Sequence, residues 1–234
     1  MNYIFKKEII NYDYIDNKAN TTVLFLHGWG GNKNSFSSTV NLLKHKFNIL
    51  SLTLPTIQPT FEEWTLFDYF TLVKILLKLH NIEKIYVVCH SFGFRVACLL
   101  NQYIENKKIV VTGGAGIRKN SIIKRIEQTN NKILLKQKKF KFLFDALASV
   151  DYISLSSINQ KTFKNIVNQN LIKYSKFSCP VLLFWGKYDH ETPPFIAKHL
   201  LKSNQAKLIV TKSDHFAYLK ENKLFNFEVI KFFK

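Results

Sequence analysis

A serine, an aspartate and a histidine each stand shortly after an apolar run of strand-like length. Ser91, Asp189 and His215 occur in this order along the chain, the order that a nucleophile-elbow scaffold requires. A histidine that takes the serine proton makes the hydroxyl a nucleophile, and a carboxylate behind the ring fixes its tautomer. The three residue types therefore predict acyl-transfer chemistry with Ser91 as nucleophile, His215 as base and Asp189 as the acid.

The residues around Ser91 fit a sharp turn from a strand into a helix. Such a turn projects the hydroxyl from the edge of the sheet and needs small residues two positions to either side. Gly93 meets this demand on one side, and Cys89 is a compact residue on the other. A serine that only caps its helix is the alternative interpretation of this pattern.

A second glycine-rich turn, His27–Gly31, directly follows the apolar run 22–26. An acyl-transfer enzyme needs two N–H donors for the tetrahedral oxyanion, and we expect them to be the backbone amides of Trp29 and Phe92. The turn does not continue as a dinucleotide-binding or Walker motif, which argues against a phosphate site. The residues that we expect to support the two turns are His27, Gly28, Gly30, His90 and Gly93.

Other acids and histidines could in principle replace Asp189 and His215. Asp214 adjoins the histidine in sequence, whereas Asp145 and Asp151 lie in a basic interval of the chain. His190 is predicted to lie at the surface, and we expect His27 and His90 to bond loop backbone. No carboxylate-rich ligand set and no Cys/His zinc spacing accompanies the histidines, so the sequence predicts neither a metal site nor a cofactor.

Short apolar runs alternate with segments of helical period, which predicts an α/β protein with a doubly wound, mostly parallel sheet. The strand-like runs are 22–26, 47–53, 84–89, 109–112, 181–185 and 206–210. An amphipathic helix is predicted over Trp64–Leu79, and further helices begin near Ser91, near Pro193 or Pro194, and near Phe216.

The interval 117–176 contains no strong strand-like run and interrupts this alternation. It holds 13 lysine or arginine residues against three acidic ones, and the run 136–142 interleaves lysines with phenylalanines. We interpret it as a helical lid inserted into a core formed by residues 1–116 and 177–234. The positive charge of this interval would also allow it to bind nucleic acid or an anionic partner. Alternatively, the charge only reflects an overall composition rich in Lys, Asn, Ile and Phe.

These motifs together resemble the α/β-hydrolase family, and in particular small cytosolic carboxylesterases that carry a His-Gly-Trp-Gly turn. The resemblance implies a serine hydrolase that cleaves carboxylic esters through an acyl-enzyme on Ser91, with a helical lid and no cofactor. The basic lid favours a small ester substrate that is anionic or carried by an acidic protein, and nucleic acid is not the expected partner. A lysophospholipase, a carbon–carbon bond hydrolase, an aminopeptidase and a non-catalytic scaffold that binds a ligand remain alternatives.

The N-terminal residues do not have the pattern of a secretory signal peptide, and the sequence contains no apolar run long enough to span a membrane. The three cysteines form no disulfide framework, which fits a reducing compartment. We therefore expect a cytoplasmic protein. The sequence does not indicate an oligomeric state.

Overall fold

An eight-stranded sheet runs through the part of the protein that the computed structural model describes, which is residues 1–117 and 154–234. Its strands are β1 (Asn2–Phe5), β2 (Glu8–Ile15), β3 (Thr22–Leu26), β4 (Asn48–Leu52), β5 (Lys84–His90), β6 (Glu105–Thr112), β7 (Val181–Gly186) and β8 (Ala206–Thr211). The strand order is β1-β2-β4-β3-β5-β6-β7-β8, and only the pairs that involve β2 are antiparallel.

Helices pack on both faces of the sheet, and each face buries its own hydrophobic core. The described helices are α1 (Ser37–Leu43), α2 (Leu66–Leu79), α3 (Phe92–Leu100), α4 (Ser157–Val167), α5 (Phe195–Ser203), α6 (Ala217–Lys220) and α7 (Asn222–Phe233). Side chains of α2, α3 and α5 pack in one core, and side chains of α1, α6 and α7 pack in the other. The prediction of a doubly wound, mostly parallel sheet is confirmed.

Strand β3 shows why the central strands read as continuous apolar runs. Leu24 and Leu26 point into one core, whereas Val23 and Phe25 point into the other. Successive side chains of a strand alternate between the two faces, so a strand covered by helices on both faces needs an apolar residue at every position.

The sequence reasoning missed the hairpin of β1 and β2. Strands joined by two residues usually carry Asn-Gly or a similar pair at positions with positive φ, but here Lys6 and Lys7 take φ values of 48° and 64°. Lys6 Nζ donates to the Glu63 carbonyl at 2.8 Å and pairs with Asp68 Oδ2 at 3.3 Å. Contacts with a distant segment therefore stabilise a turn that the local sequence does not predict.

Helix α2 begins two residues later than the predicted Trp64, because Thr65 caps it. The Asp68 N–H donates to the Thr65 hydroxyl, and Asp68 Oδ2 accepts from the Thr65 N–H at 2.6 Å. This reciprocal pair is a capping box, with aspartate in place of the more usual glutamate or glutamine.

The predicted lid lies between β6 and β7, and most of it falls outside the described residues. Residues 118–153, with the basic run 136–142, Asp145 and Asp151, belong to that undescribed part. The described end of the interval contains α4 and a single 3-10 turn, Ile172–Tyr174. The lid and its boundaries at 117–176 stay a prediction. Across residues 1–117 and 154–234, no helix has the length and apolar character that crossing a membrane needs.

Candidate active site

Ser91 stands at the junction of β5 and α3 in a backbone conformation that few residues adopt. Its φ is 45° and its ψ is −109°, a combination that is strained for a residue with a side chain. The Ser91 carbonyl accepts hydrogen bonds from the Phe94 and Ala115 N–H groups, both at 3.1 Å, and its own N–H donates to Thr112 at 3.1 Å. These bonds hold the strained turn from both sides.

Glycine at position 93 lets the helix after Ser91 lie directly against the sheet. A Cβ atom at Gly93 would lie far inside van der Waals contact with the Leu26 carbonyl oxygen at the end of β3. No other residue type fits there without moving the backbone. The close approach brings the end of β3, and the turn that follows it, next to Ser91.

The turn after β3 is a β-turn that depends on its glycines. The Gly31 N–H donates to the Gly28 carbonyl at 3.0 Å, and Gly30 has a φ of 77°, which fits the third position of a type II turn. A Cβ atom at Gly28 would lie 2.5 Å from His90 Nδ1 and 3.4 Å from Ser91 Cβ. The turn therefore passes within contact distance of the serine.

Trp29 and Phe92, whose amides we expect to bind the oxyanion, come from the two turns that meet at Ser91. Neither backbone N–H donates a hydrogen bond to another described residue. Their rings pack edge to face with centroids 5.4 Å apart, and Trp29 packs in the same way on Phe163 of α4 at 5.0 Å. An aromatic wall thus stands beside the serine.

Asp189 and His215 meet at the ends of the neighbouring strands β7 and β8. His215 Nδ1 lies 3.0 Å from Asp189 Oδ2, and both residues are buried. The Thr192 N–H donates to Asp189 Oδ1 and the Thr192 hydroxyl donates to Oδ2, each at 2.7 Å. The carboxylate is therefore held in one orientation toward the imidazole ring.

His90 connects the serine turn with the loop that carries His215. Its Nε2 lies 3.1 Å from the His215 carbonyl oxygen, and the two rings have centroids 4.6 Å apart. Burial, with a smaller effect of the neighbouring His215, holds the pKa of His90 well below its usual range. His90 is then a neutral ring whose Nε2–H donates to the His215 carbonyl and so helps to position that loop.

Glu191 faces the outer nitrogen of His215. Its Oε2 lies 3.3 Å from His215 Nε2, and among the described residues no hydrogen bond joins the Ser91 hydroxyl to this ring. Ser91 and His215 nevertheless border one short segment after β6, because Ser91 bonds to Thr112 and a Cβ atom at Gly113 would lie 3.0 Å from His215 Cε1.

Several solved structures with similar architecture are hydrolases. An esterase from Exiguobacterium antarcticum is 16% identical with a TM-score of 0.71, covering 95% of this chain and 94% of its own. A meta-cleavage product hydrolase from Pseudomonas fluorescens is 18% identical with a TM-score of 0.71. This match covers 100% of the present chain and 97% of the hydrolase chain. The chain has the α/β-hydrolase fold. An enol-lactonase from Burkholderia xenovorans shares this fold at 13% identity, with a TM-score of 0.71 and 96% coverage of each chain. The chain matches no family model and no curated protein.

Among the described residues, the alternative acid Asp214 is paired with a lysine, and the alternative histidines contact backbone atoms or lie at the surface. Asp214 pairs with Lys220 Nζ at 2.5 Å and accepts from the Phe216 N–H at 3.1 Å. His27 contacts the Gly28 carbonyl through Nδ1 at 2.6 Å and accepts from the Leu54 N–H through Nε2 at 2.8 Å. His190 is exposed.

Sequence reasoning did not single out Thr192, Glu191 or Gly113. The bond from the Thr192 amide to the carboxylate three residues earlier is a local pattern that Asp and Thr favour, so this residue could have been found. Glu191 and Gly113 meet His215 only through the tertiary structure. The cysteines 89, 98 and 179 are buried and free, and the described ranges contain no group of three or more His, Cys, Asp or Glu residues that could hold a metal ion.

Proposed function

We propose that this protein is a serine hydrolase that cleaves carboxylic esters through an acyl-enzyme on Ser91. The observation that carries the proposal is the strained turn at Ser91, beside a buried pair in which His215 Nδ1 lies 3.0 Å from Asp189 Oδ2. A strained serine at the end of a parallel strand is an arrangement that exposes a nucleophile, and a buried carboxylate behind an imidazole is one that orients a base.

In the proposed reaction, the Ser91 oxygen attacks the ester carbonyl carbon while His215 Nε2 takes the hydroxyl proton. The tetrahedral intermediate collapses, the bond to the alkoxy oxygen breaks, and the imidazolium gives its proton to the departing alcohol. Water then attacks the acyl-enzyme with His215 again as base, which releases the carboxylic acid and restores Ser91. Asp189 holds the Nδ1–H tautomer throughout.

The negative charge of the tetrahedral intermediate needs two N–H donors. The amides of Trp29 and Phe92 are our candidates, because the two turns that carry them meet at Ser91 and neither amide has a hydrogen-bond partner among the described residues. Each such donor contributes about 3 kcal/mol to the stabilisation of the transition state.

The ester class rests on the resemblance to small carboxylesterases and on a neighbour of the same fold that is an esterase. Within this proposal the acyl group lies against the aromatic wall of Trp29, Phe92 and Phe163, which is apolar and suits a hydrocarbon chain. The helical lid, the cytoplasmic location and an acidic carrier partner belong to the same hypothesis.

The test is hydrolysis of p-nitrophenyl esters from short to long acyl chains by the wild type, Ser91→Ala and the control Ser203→Ala. Ser203 lies in α5 and bonds to its own helix, so its removal should leave turnover unchanged. We expect turnover that peaks at one chain length and disappears in Ser91→Ala.

Labelling of Ser91 by a fluorophosphonate, detected by intact mass, separates a narrow substrate range from a non-catalytic scaffold. A folded wild type that neither turns over any ester nor becomes labelled at Ser91 would contradict the proposed function.

A further inference from the structure

Asn159 is a buried amide in the first turn of α4, and its side chain bonds to a segment that lies far earlier in the chain. Its Oδ1 accepts from the Thr60 N–H at 3.2 Å and from the Thr60 hydroxyl at 2.8 Å. Its Nδ2 donates to the Thr56 carbonyl at 3.0 Å and to the Gln58 carbonyl at 2.6 Å. Because only 1% of Asn159 is exposed, water does not compete for these bonds, and they hold residues 56–60 against the helix.

The segment that Asn159 holds supports the turn after β3. The Gly30 N–H donates to the Thr56 hydroxyl at 3.1 Å, and Thr56 is buried. The φ of 77° at Gly30 is that of a type II turn, and a type I turn differs from it by a reversal of the peptide between its two central residues. That reversal would point the Gly30 N–H away from Thr56. The hydrogen bond to Thr56 therefore selects the observed conformation of Trp29 and Gly30.

Helix α4 also contacts the side chain of this turn. The Phe163 ring packs edge to face on the Trp29 ring, with centroids 5.0 Å apart. Asn159 and Phe163 are four residues apart and so lie on the same face of the helix. One helical face therefore contacts Trp29 directly through its ring and holds the backbone of the turn by way of Thr56.

The position of the turn matters because the Trp29 amide is a candidate oxyanion donor. A donor stabilises the tetrahedral intermediate only when it lies within hydrogen-bond distance of the place where the negative charge develops. Displacement of a catalytic group by about 1 Å costs about a hundredfold in rate. A side chain that fixes the turn thus acts on the rate without touching the substrate.

We propose that Asn159 is a positioning residue for the turn 28–31 and that it acts through Thr56. The proposal rests on the proposed serine hydrolase function and deepens it. Asn159 Nδ2 holds the Thr56 carbonyl, and the Thr56 hydroxyl holds the Gly30 N–H. The turn that carries the Trp29 amide is thereby fixed next to Ser91.

The test uses Asn159→Asp, because this change removes the two bonds donated by Nδ2 and keeps an oxygen for Thr60. Aspartate also suits the third residue of a helix, where its charge lies near the positive end of the helix dipole. The substrate is p-nitrophenyl acetate, whose short acyl group makes little use of the aromatic wall. We expect kcat to fall at least about tenfold with little change in KM, because an oxyanion donor acts on the transition state.

Variants of Thr56 test whether Asn159 acts through this residue. Thr56→Val removes the acceptor of the Gly30 N–H with almost no change in shape and should lower kcat in the same way. Thr56→Ser keeps the hydroxyl and should retain most of the wild-type rate. Because both residues act on one turn, the double variant Asn159→Asp/Thr56→Val should lose less than the product of the two single losses. Single losses that multiply in the double variant would overturn the inference.

Thr162→Val is the matched control for a general loss of stability. The Trp64 N–H donates to the Thr162 hydroxyl at 2.9 Å, so this change also removes a buried bond between α4 and the segment before α2. This bond does not lead to the turn 28–31, and its loss should leave kcat as in the wild type. An equal fall of kcat in Thr162→Val and Asn159→Asp, or no fall in Asn159→Asp, would overturn the inference. If Asn159→Asp does not fold, Asn159→Ala takes its place.

Hydrogen exchange at the Gly30 amide, followed by NMR, tests the same link without any substrate. We expect exchange at least about tenfold faster than in the wild type for Asn159→Asp and Thr56→Val, and unchanged for Thr162→Val. Unchanged exchange in Asn159→Asp would overturn the inference and leave the proposed function standing. A wild type that neither cleaves esters nor becomes labelled at Ser91 would overturn the proposed function together with the catalytic consequence assigned to Asn159.

Discussion

His27 should make the stability of this protein depend on pH. Its ring is buried in the turn after β3, and burial lowers its pKa from 6.5 to about 4. The hydrogen bond from the Leu54 N–H acts on the pKa in the same direction as burial, whereas the contact with the Gly28 carbonyl acts against it. Because the Leu54 N–H donates to Nε2 at 2.8 Å, a second proton on this nitrogen would set two donors against each other. The folded protein therefore holds His27 in the neutral form.

The size of the effect follows from the two pKa values. Above pH 6.5 the histidine is neutral in the folded and the unfolded chain, so it adds no pH dependence. As the pH falls from about 6.5 to about 4, the unfolded chain takes up a proton that the folded chain refuses, and stability is lost. At about 1.4 kcal/mol for each pH unit, the loss is about 3 kcal/mol.

The variant His27→Gln removes the titration while offering an oxygen to Leu54 and an N–H to Gly28. Urea denaturation between pH 7 and about pH 4 gives the free energy of unfolding at each pH. We expect the variant to be less stable at pH 7, but to lose about 3 kcal/mol less than the wild type on acidification. Other titrating groups are present in both proteins, and His27 is the least of the causes that lower the pKa of the buried His90.

His45→Gln is the matched control, because His45 is exposed and its replacement should leave the pH dependence as it is in the wild type. Equal acid-induced losses of stability in the wild type and His27→Gln would refute the reasoning. Such a result would mean that His27 takes up its proton as readily in the folded protein as in the unfolded chain.

Two further predictions concern the serine turn and the Asp189–His215 pair. Gly93→Ala should lower the free energy of unfolding by at least about 1 kcal/mol, because its Cβ would overlap the Leu26 carbonyl oxygen. Urea denaturation beside the control Ser203→Ala measures this loss, and a loss below about 1 kcal/mol would contradict the prediction. Thr192→Val should lower kcat for ester hydrolysis about tenfold, because it removes a hydrogen bond to Asp189 of about 1.5 kcal/mol. Steady-state kinetics beside Thr192→Ser, which keeps the hydroxyl, check it, and a serine variant as slow as the valine variant would speak against the hydrogen bond.

The core of the fold could be predicted because its signals are local. β3, β5 and β7 are covered on both faces, so each is a nearly continuous apolar run, and the predicted limits lie within about one residue of the observed ones. The amphipathic period of α2 is an equally clear local signal in the sequence. The hairpin of β1 and β2 escaped prediction, because Lys6 and Lys7 give no turn signal and their conformation depends on contacts with residues 62–68.

The candidate site likewise has features that the sequence predicts and features that only the structure shows. The sequence by itself determined that a serine, an acid and a histidine follow strands in the order of a nucleophile elbow, because residue type, glycine spacing and apolar runs are read along the chain. Only the tertiary structure decided that Asp189 rather than Asp214 faces His215, and that Glu191 stands at the other nitrogen. These contacts join loops that the sheet brings together from distant segments, and their geometry depends on side-chain directions that no spacing encodes.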